Sequence, residues 1–412
     1  MISENGRPML DKAREIKEAL IEVESSVEAV SHGTLLEVIR ERFGYEGAGP
    51  AESDGLVNVR IDGPEIPVIT PESLTAVLPS STQSAETTRQ SRESVTRILK
   101  GDDDRLIAIV GPCSIHDPEA ALEYALMLKQ WRENFSENLE IIMRAYMEKP
   151  RTEIGWKGLV YDPELDESND INLGIVVVRM LACRITHLGV PIAMERLNAN
   201  TPQYVNGLVA YDAIGARNTT DQKAREYASG TSSPVGFKNT PEGSILAAAQ
   251  AVASANAPHT FLGTNMAGIL SQLRTLGNDT AHIILRGNER GPNYRKQNVI
   301  RTAKILRKKG LLGAIIIDAS HGNSGKEAAN QNGVIKTVSS QVAEGQPVIK
   351  GVMIESNLKG GAQSHTPGKG DPSKLEYGLS ITDKCSPPGE TIEMLEILSS
   401  AVARRKEVGS KS

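Results

Sequence analysis

From Arg105 onward the chain alternates short, almost wholly apolar runs with stretches whose apolar residues return every three or four positions. The runs are LIAIVGPCS (106–114), EIIMRAYMEK (140–149), VPIAMERL (190–197), DAIGAR (212–217), PVGFKN (234–239), HIILRG (282–287), AIIIDASHGNS (314–324) and VIKGVMIES (348–356). Consecutive apolar positions suit strands covered on both faces, as in a parallel sheet. Between them, PEAALEYALMLKQWRENF, GIVVVRMLACRITHLG and NVIRTAKILRKKG carry helical spacing. The pattern predicts repeated βα units. About eight of them over roughly 250 residues fit a closed (β/α)8 TIM barrel better than an open doubly wound sheet. HTFLGTNM (259–266) is surplus to the pattern and is expected as an insertion ahead of the sixth strand.

Ahead of Arg105 the texture differs. DKAREIKEALIEVESSVEAV and TLLEVIRERF predict an amphipathic helix or helix pair, packed on the main body or on a partner subunit. GYEGAGPAESDG (44–55) has the composition of a linker, and LVNVRID reads as a short strand. Thr70 and Pro71 mark a helix start within 69–79, and residues 87–104 predict a polar helix ending at Gly101. The expected division is a helical N-terminal extension and linker (1–54), a strand and helix extension packing on the barrel or a partner (55–104), the catalytic barrel (105–400) and a C-terminal tail (401–412).

Composition narrows the class. Apolar residues make up 39 % and charged residues 24 % of the 412, enough for a sizeable core. Aromatics are only 4 %, so that core must rest on Ile, Leu, Val, Ala and Met. With 46 Lys+Arg against 51 Asp+Glu the net charge is −5, which disfavours a large sequence-independent nucleic-acid surface. No apolar run approaches the roughly 20 residues of a membrane span. The N-terminus lacks the order of a signal peptide. Three scattered cysteines, Cys113, Cys183 and Cys385, do not make a disulfide framework. The expectation is a soluble cytoplasmic protein without nucleic-acid or membrane partners.

What ends each run carries the chemistry. In order the runs close with Cys113; with Arg144 and Lys149-Pro150-Arg151-Thr152; with Glu195; Arg217; Lys238; Arg286; Asp318 and His321; and Glu355. In a (β/α)8 barrel these ends meet at one face, where active sites form. Five cations (Arg144, Arg151, Arg217, Lys238, Arg286) at buried strand ends need negative charge, and few carboxylates are expected beside them. The simplest counter-charge is a ligand with phosphate or carboxylate groups, since arginine forks match both. GNSGK (322–326) and GKGDPSK (368–374) lack Walker A spacing, so nucleotide binding is disfavoured. Cys113, His321, Glu355 and Asp383 form a mixed donor set suited to Mn²⁺, Fe²⁺, Co²⁺ or Zn²⁺ rather than Ca²⁺ or Mg²⁺. By spacing alone Cys113 reads equally well as a buried core residue. Cys183 reads as core, His116 as a loop residue and His282 as a strand start.

IVGPCSIHDPEAALEYA, EKPRTEIGWKGLVYDP, TPQY, AIGAR, REYASG, SPVGFKN, HIILRG, PNY, SHGNS, GVMIES and YGLSITDKC together resemble type I 3-deoxy-7-phosphoheptulonate (DAHP) synthase. The likeness runs from about Ile69 to the C-terminal region. It implies a metal-dependent barrel that condenses phosphoenolpyruvate and water with erythrose 4-phosphate, the first step of the shikimate route to aromatic amino acids. Carried over by motif, the metal ligands are Cys113, His321, Glu355 and Asp383. Arg144, Arg217, Lys238 and Arg286 grip phosphoenolpyruvate, with Glu195 beside them. Lys149, Pro150, Arg151 and Thr152 face the aldose phosphate. Lys149, Arg144, His321 and Cys113 then form the catalytic group, with Lys149 as proton donor, its pKa expected to be lowered by cationic neighbours. The resemblance also suggests a homodimer or homotetramer and an aromatic amino acid effector.

The chain departs from the family pattern at particular places. The third strand reads Ala193-Met194-Glu195-Arg196-Leu197-Asn198 where Ala-Gly-Glu-Phe-Leu-Asp is usual. Ala319 replaces a Phe, Gly322 an Ala, and Asn288-Glu289 a Gly-Lys. These changes open a second reading, a paralogue using another aldose phosphate in a specialised pathway. A third is a catalytically weak barrel acting as a regulatory subunit. Retention of every candidate ligand and anion-binding residue argues against that one.

Overall fold

The computed structural model describes residues 8–27, 66–151 and 153–409. Eight parallel strands close into a barrel: β1 (Leu106–Gly111), β2 (Leu139–Arg144), β3 (Ile192–Arg196), β4 (Val209–Ile214), β5 (Val235–Lys238), β8 (His282–Leu285), β9 (Ile315–Asp318) and β10 (Ile349–Glu355). Around the ring their order is β1-β10-β9-β8-β5-β4-β3-β2. Each predicted run supplies one strand, and the (β/α)8 expectation holds. The surplus segment becomes an antiparallel hairpin outside the barrel, β6 (Thr260–Thr264) with β7 (Leu270–Arg274), inserted before the sixth barrel strand.

Alternation along the strands divides the core in two. Ile107, Ile109, Ile142, Ala193, Tyr211, Ala213, Ile284, Ile316 and Met353 fill the barrel. Their neighbours Ala108, Val110, Ile141, Met143, Ile192, Val209, Ile283, Ile315 and Ile354 pack outward. The outer wall holds α4 (Pro118–Phe135), α5 (Ile171–His187), α6 (Thr201–Val205), α7 (Gln222–Gly230), α8 (Ile245–Ala255), α9 (Lys296–Lys308), α11 (Gln331–Ala343) and α12 (Pro388–Gly409), while the short α10 (His321–Ser324) borders the open end of the barrel. Several start where a side chain caps the first turn: Asp117 accepts from the Glu119 and Ala120 amides, and Asp170 from that of Leu173.

Among the described residues three helices precede the barrel: α1 (Pro8–Val27), α2 (Pro71–Val77) and α3 (Thr82–Lys100). Thr70 caps α2 ahead of Pro71, as the sequence indicates. Helix α3 starts five residues before the expected Thr87, because Ser81 caps it through the Ser84 amide, and it closes at Gly101. Its Val95, Ile98 and Leu99 join the inner core, each fully buried side chain gaining ~1.5–3 kcal/mol. Its polar face bonds the first residues of strands, Ser91 to Glu140 and Arg92 to the Val209 carbonyl. The amino-terminal end of the barrel is therefore sealed, and access lies at the other end. Helix α1 buries Met9, Leu10 and Ala13 and pairs Lys17 with Asp170 at the start of α5 at 2.8 Å. TLLEVIRERF, the linker and LVNVRID lie outside the described residues, as does Thr152. No helix among the described residues is long and apolar enough to cross a membrane.

Candidate active site

Strand carboxyl ends and the loops after them enclose a cavity of about 820 Å³ at the open end of the barrel. Arg144, Lys149, Pro150, Arg151, Glu195, Arg217, Lys238, Arg286, His321 and Asp383 line it. Cys113 and Glu355 lie beneath, both buried. Barrel geometry does this without help from sequence proximity, since Arg144, Lys238 and Glu355 each end a strand. Asp383 arrives from the segment after β10, which is tied back by bridges from Ser356 to Ser386 and from Gly361 to Cys385.

Donor atoms of Cys113, Glu355 and Asp383 lie within 4.8 Å of one another. His321 stands just outside this trio. Its Nε2 is 3.7 Å from Glu355 Oε1, while its Nδ1 contacts Asp318 Oδ2 at 2.9 Å. The residues fit a divalent transition ion: one soft thiol and two carboxylates lie together, with an imidazole at their edge. The Lys149 ammonium already occupies that neighbourhood, donating to Cys113 Sγ at 2.7 Å and lying 3.4 Å from Asp383 Oδ2. Burial, followed by Glu355, pushes the Cys113 thiol up to about 11, so the thiolate needs a cation beside it. Burial also pushes Asp383 up, but Lys149 and His321 outweigh it and hold the carboxyl below its usual range.

Two sequence expectations are corrected here. Burial alone would lower the Lys149 pKa, but Cys113, Asp383 and Glu355 raise it above the ordinary lysine value. The neighbours that decide the shift are acidic groups, because the loop turns Lys149 into the donor trio. Nor are the strand-end cations short of carboxylates. Arg144 pairs with Glu355 at 2.9 Å and donates to the Pro112 and Cys113 carbonyls, with its guanidinium over the Tyr146 ring. Lys238 pairs with Glu195 at 3.1 Å and Asp318 at 3.7 Å. Burial raises Glu195, yet Lys238 and Arg144 bring its pKa below the usual range. Arg286 and Arg151 differ, having no ion pair or side-chain hydrogen bond among the described residues.

Residues to which the sequence reading gave no role in binding or catalysis also shape the cavity. Asp318 is fully buried between His321 and Lys238, linking the donor set to the cations. Lys326, Asn288 and Glu289 line the rim. Lys326 was visible only as a residue of a glycine-rich loop. Among the residues read as structural, His282 is buried, accepts from the Tyr211 hydroxyl at 2.7 Å and donates to the Thr280 carbonyl, and burial lowers it to about 4. Cys183 is half-buried against the core.

The family model described as the DAHP synthetase I family matches residues 79–396. The Tyr-sensitive phospho-2-dehydro-3-deoxyheptonate aldolase of Escherichia coli K12 is 43% identical over 334 residues, 81% of this chain and 92% of that protein. The Phe-sensitive enzyme of the same organism is 44% identical over 339 residues, 82% of this chain and 95% of that protein. The solved phospho-2-dehydro-3-deoxyheptonate aldolase of Francisella tularensis SCHU S4 superposes with TM-score 0.81 at 44% identity, covering 84% of this chain and 99% of that one. The chain belongs to the DAHP synthetase I family. It is an enzyme of the DAHP synthase type, and its condensation class is that of phosphoenolpyruvate with erythrose 4-phosphate.

Within this DAHP synthetase I barrel Met194 and Ala319 lie in the apolar core, Gly322 borders the main cavity, and the polar departures fall in two places. Asn288 and Glu289 reach the main cavity. Arg196 and Asn198 do not; they line a second cavity of about 540 Å³ bounded by α6, α7 and the β6–β7 hairpin, together with Tyr227, Phe261 and Arg274. Arg196 is buried and pairs with Asp212. The altered third strand thus faces away from the reaction centre, because side chains alternate sides along β3 and Glu195 takes the inward position.

Proposed function

We propose that this enzyme performs a metal-dependent condensation of phosphoenolpyruvate, erythrose 4-phosphate and water to 3-deoxy-D-arabino-heptulosonate 7-phosphate and phosphate. The observation that carries the reading is the meeting, in one cavity, of the Cys113, Glu355 and Asp383 donor group with Arg144, Arg151, Arg217, Lys238 and Arg286. Cys113, His321, Glu355 and Asp383 would hold the divalent ion (Mn²⁺, Co²⁺, Fe²⁺ or Zn²⁺), whose chemistry there is Lewis-acid polarisation of the aldehyde oxygen. Arg144, Arg217, Lys238 and Arg286 bind the phosphate and carboxylate of phosphoenolpyruvate, with Glu195 orienting Lys238. Pro150, Arg151 and Thr152 bind the aldose phosphate. Held together against their mutual repulsion, the two substrates meet as an effectively intramolecular pair.

The enol carbon of phosphoenolpyruvate attacks the aldehyde carbon. Lys149 Nζ, kept protonated by its acidic surroundings, gives its proton to the new alkoxide. Water adds to the carbon bearing the phosphate, and phosphate leaves. Arg144, paired with Glu355 and fixed by two carbonyls, supplies positive charge that does not need to reorganise.

The test is phosphate release from phosphoenolpyruvate plus erythrose 4-phosphate. A chelator abolishes it and Mn²⁺ or Co²⁺ restores it; release indifferent to chelator removes the metal-dependent reading. A second reading, another aldose phosphate as acceptor, now rests on Asn288 and Glu289 at the rim. A panel of aldose phosphates in the same assay decides between them.

An aromatic amino acid effector fits the second cavity. Two relatives are named for sensitivity to Tyr and to Phe. That cavity combines Tyr227 edge-on to Phe261 at 5.2 Å with Arg196 and Arg274, which suit a ring and a carboxylate respectively. A homodimer or homotetramer is supported by the exposed apolar strip of Leu262, Ile269 and Leu270 on the hairpin.

A further inference from the structure

Three buried asparagines, Asn239, Asn293 and Asn323, join the ends of β5, β8 and β9. Asn239 Oδ1 accepts from the Arg286 amide at 2.9 Å and from Asn293 Nδ2 at 3.0 Å, and its Nδ2 donates to the Gly287 carbonyl at 3.0 Å. Asn293 Oδ1 accepts from the Gly287 amide at 2.8 Å, and its own amide donates to Asn323 Oδ1 at 2.8 Å. Asn323 donates through Nδ2 to the Leu285 and Asp318 carbonyls, at 3.0 and 2.8 Å, and through its backbone to the Arg286 carbonyl at 3.2 Å. Both peptide planes flanking the Arg286 Cα are thereby held at both ends, each bond made by one of three asparagines.

This arrangement has a specific partner in the cavity. The guanidinium of Arg144 is fixed by Glu355 and two carbonyls, so its own contacts orient it. The guanidinium of Arg286 has no such partner among the described residues, and its direction into the cavity depends on its backbone. An asparagine amide gives and accepts hydrogen bonds in one plane, with both groups at the length these contacts need. An apolar replacement would strand the buried Arg286 and Gly287 amides.

We propose that Asn239, Asn293 and Asn323 are positioning residues that aim Arg286 at the anionic donor substrate by clamping its peptide groups. The inference rests on the assignment of Arg286 to phosphoenolpyruvate, and the test separates the two. Binding of phosphoenolpyruvate to the full-length protein is measured calorimetrically, without acceptor, for Arg286→Ala, Asn293→Ala and the double variant, and KM values for both substrates are measured alongside. Asn293→Ala is expected to raise the phosphoenolpyruvate Kd and KM about tenfold while the aldose phosphate KM stays within about twofold. In the Arg286→Ala background the same change is expected to add less than about twofold, because coupled residues do not act additively.

An unchanged Kd in Asn293→Ala, or an undiminished effect in the Arg286→Ala background, overturns the positioning role. An equal rise in both KM values does so too, as it marks general loosening of the mouth. An unchanged Kd in Arg286→Ala itself overturns the underlying assignment instead. Should Asn293→Ala fail to fold, Asn293→Ser is put through the same comparison, its hydroxyl being too short to span Gly287 and Asn239.

Discussion

Asp318 Oδ2 lies 2.9 Å from Nδ1 of His321, and the carboxylate is completely buried. Burial pushes this carboxyl up, but His321 and Lys238 outweigh it and keep the pKa well below the ordinary aspartate value. The contact leaves Nε2 as the ring nitrogen that faces Glu355. Outer-shell carboxylates of this kind typically account for ~10–100-fold of metal affinity. Asp318→Asn is therefore expected to weaken Mn²⁺ binding by about that factor with the far-UV spectrum unchanged, as read by equilibrium binding. Unchanged affinity would show that His321 needs no orienting partner.

Cys113 is buried, and the Lys149 ammonium donates to its sulfur at 2.7 Å, a contact with no counterpart in an apolar core. Cys113→Ala is expected to lose bound metal and nearly all turnover while remaining folded. Metal content by mass spectrometry and circular dichroism give the answer, and a fully active variant would return Cys113 to the core.

Arg151 and Arg286 approach the cavity from different loops. Arg286→Ala is expected to raise the KM for phosphoenolpyruvate at least tenfold, and Arg151→Ala that for the aldose phosphate by a similar factor. Steady-state kinetics with each substrate varied in turn checks the division. Equal effects of either variant on both substrates would dissolve the two subsites.

Glu148 sits behind Lys149, accepting from Thr201 at 3.1 Å and Tyr161 at 3.3 Å, with Oε2 unpartnered. Burial pushes its carboxyl up to about 7, against the opposing pull of Thr201 and Arg196. A raised carboxyl favours the protonated fold, so its contribution is complete below about pH 4.5 and fades as pH climbs to about 7. At ~1.4 kcal/mol per pKa unit the loss is about 3 kcal/mol. Glu148→Gln is expected to match the wild type near pH 5 and exceed it in urea midpoint at pH 8. Parallel curves across that range would refute the assignment.

The fold was legible because its information is local. Strands with one face in solvent alternate apolar and polar residues, whereas an unbroken run such as Ile315–Ile317 belongs to a strand covered on both faces. The helical stretch PEAALEYALMLKQWRENF coincides with α4, which Asp117 caps. Helix α3 was read late because TQSAE has no apolar repeat, and its start depends on one Ser81 hydrogen bond. The candidate metal and phosphate residues were marked by strand ends and motif resemblance. The Lys149 environment, the Asp318 bridge and the asparagine clamp escaped, since each depends on which strand neighbours which across the barrel. Asn239 and Asn323 are 84 residues apart in chain order, and nothing in either motif says that both reach Asn293.

Gly287 takes φ +70°, and a Cβ there would come within 2.4 Å of the Gly322 backbone; one on Gly322 would meet the Asn288 amide at the same distance. The loops carrying Arg286 and His321 thus touch main chain to main chain, and at Gly287, where φ is also positive, hydrogen is the substituent that fits without a shift. Engineering this enzyme toward new sugars can redraw the outer rim, whereas any side chain placed in the seam between these two loops obliges one of them to shift and carries Arg286 or His321 with it.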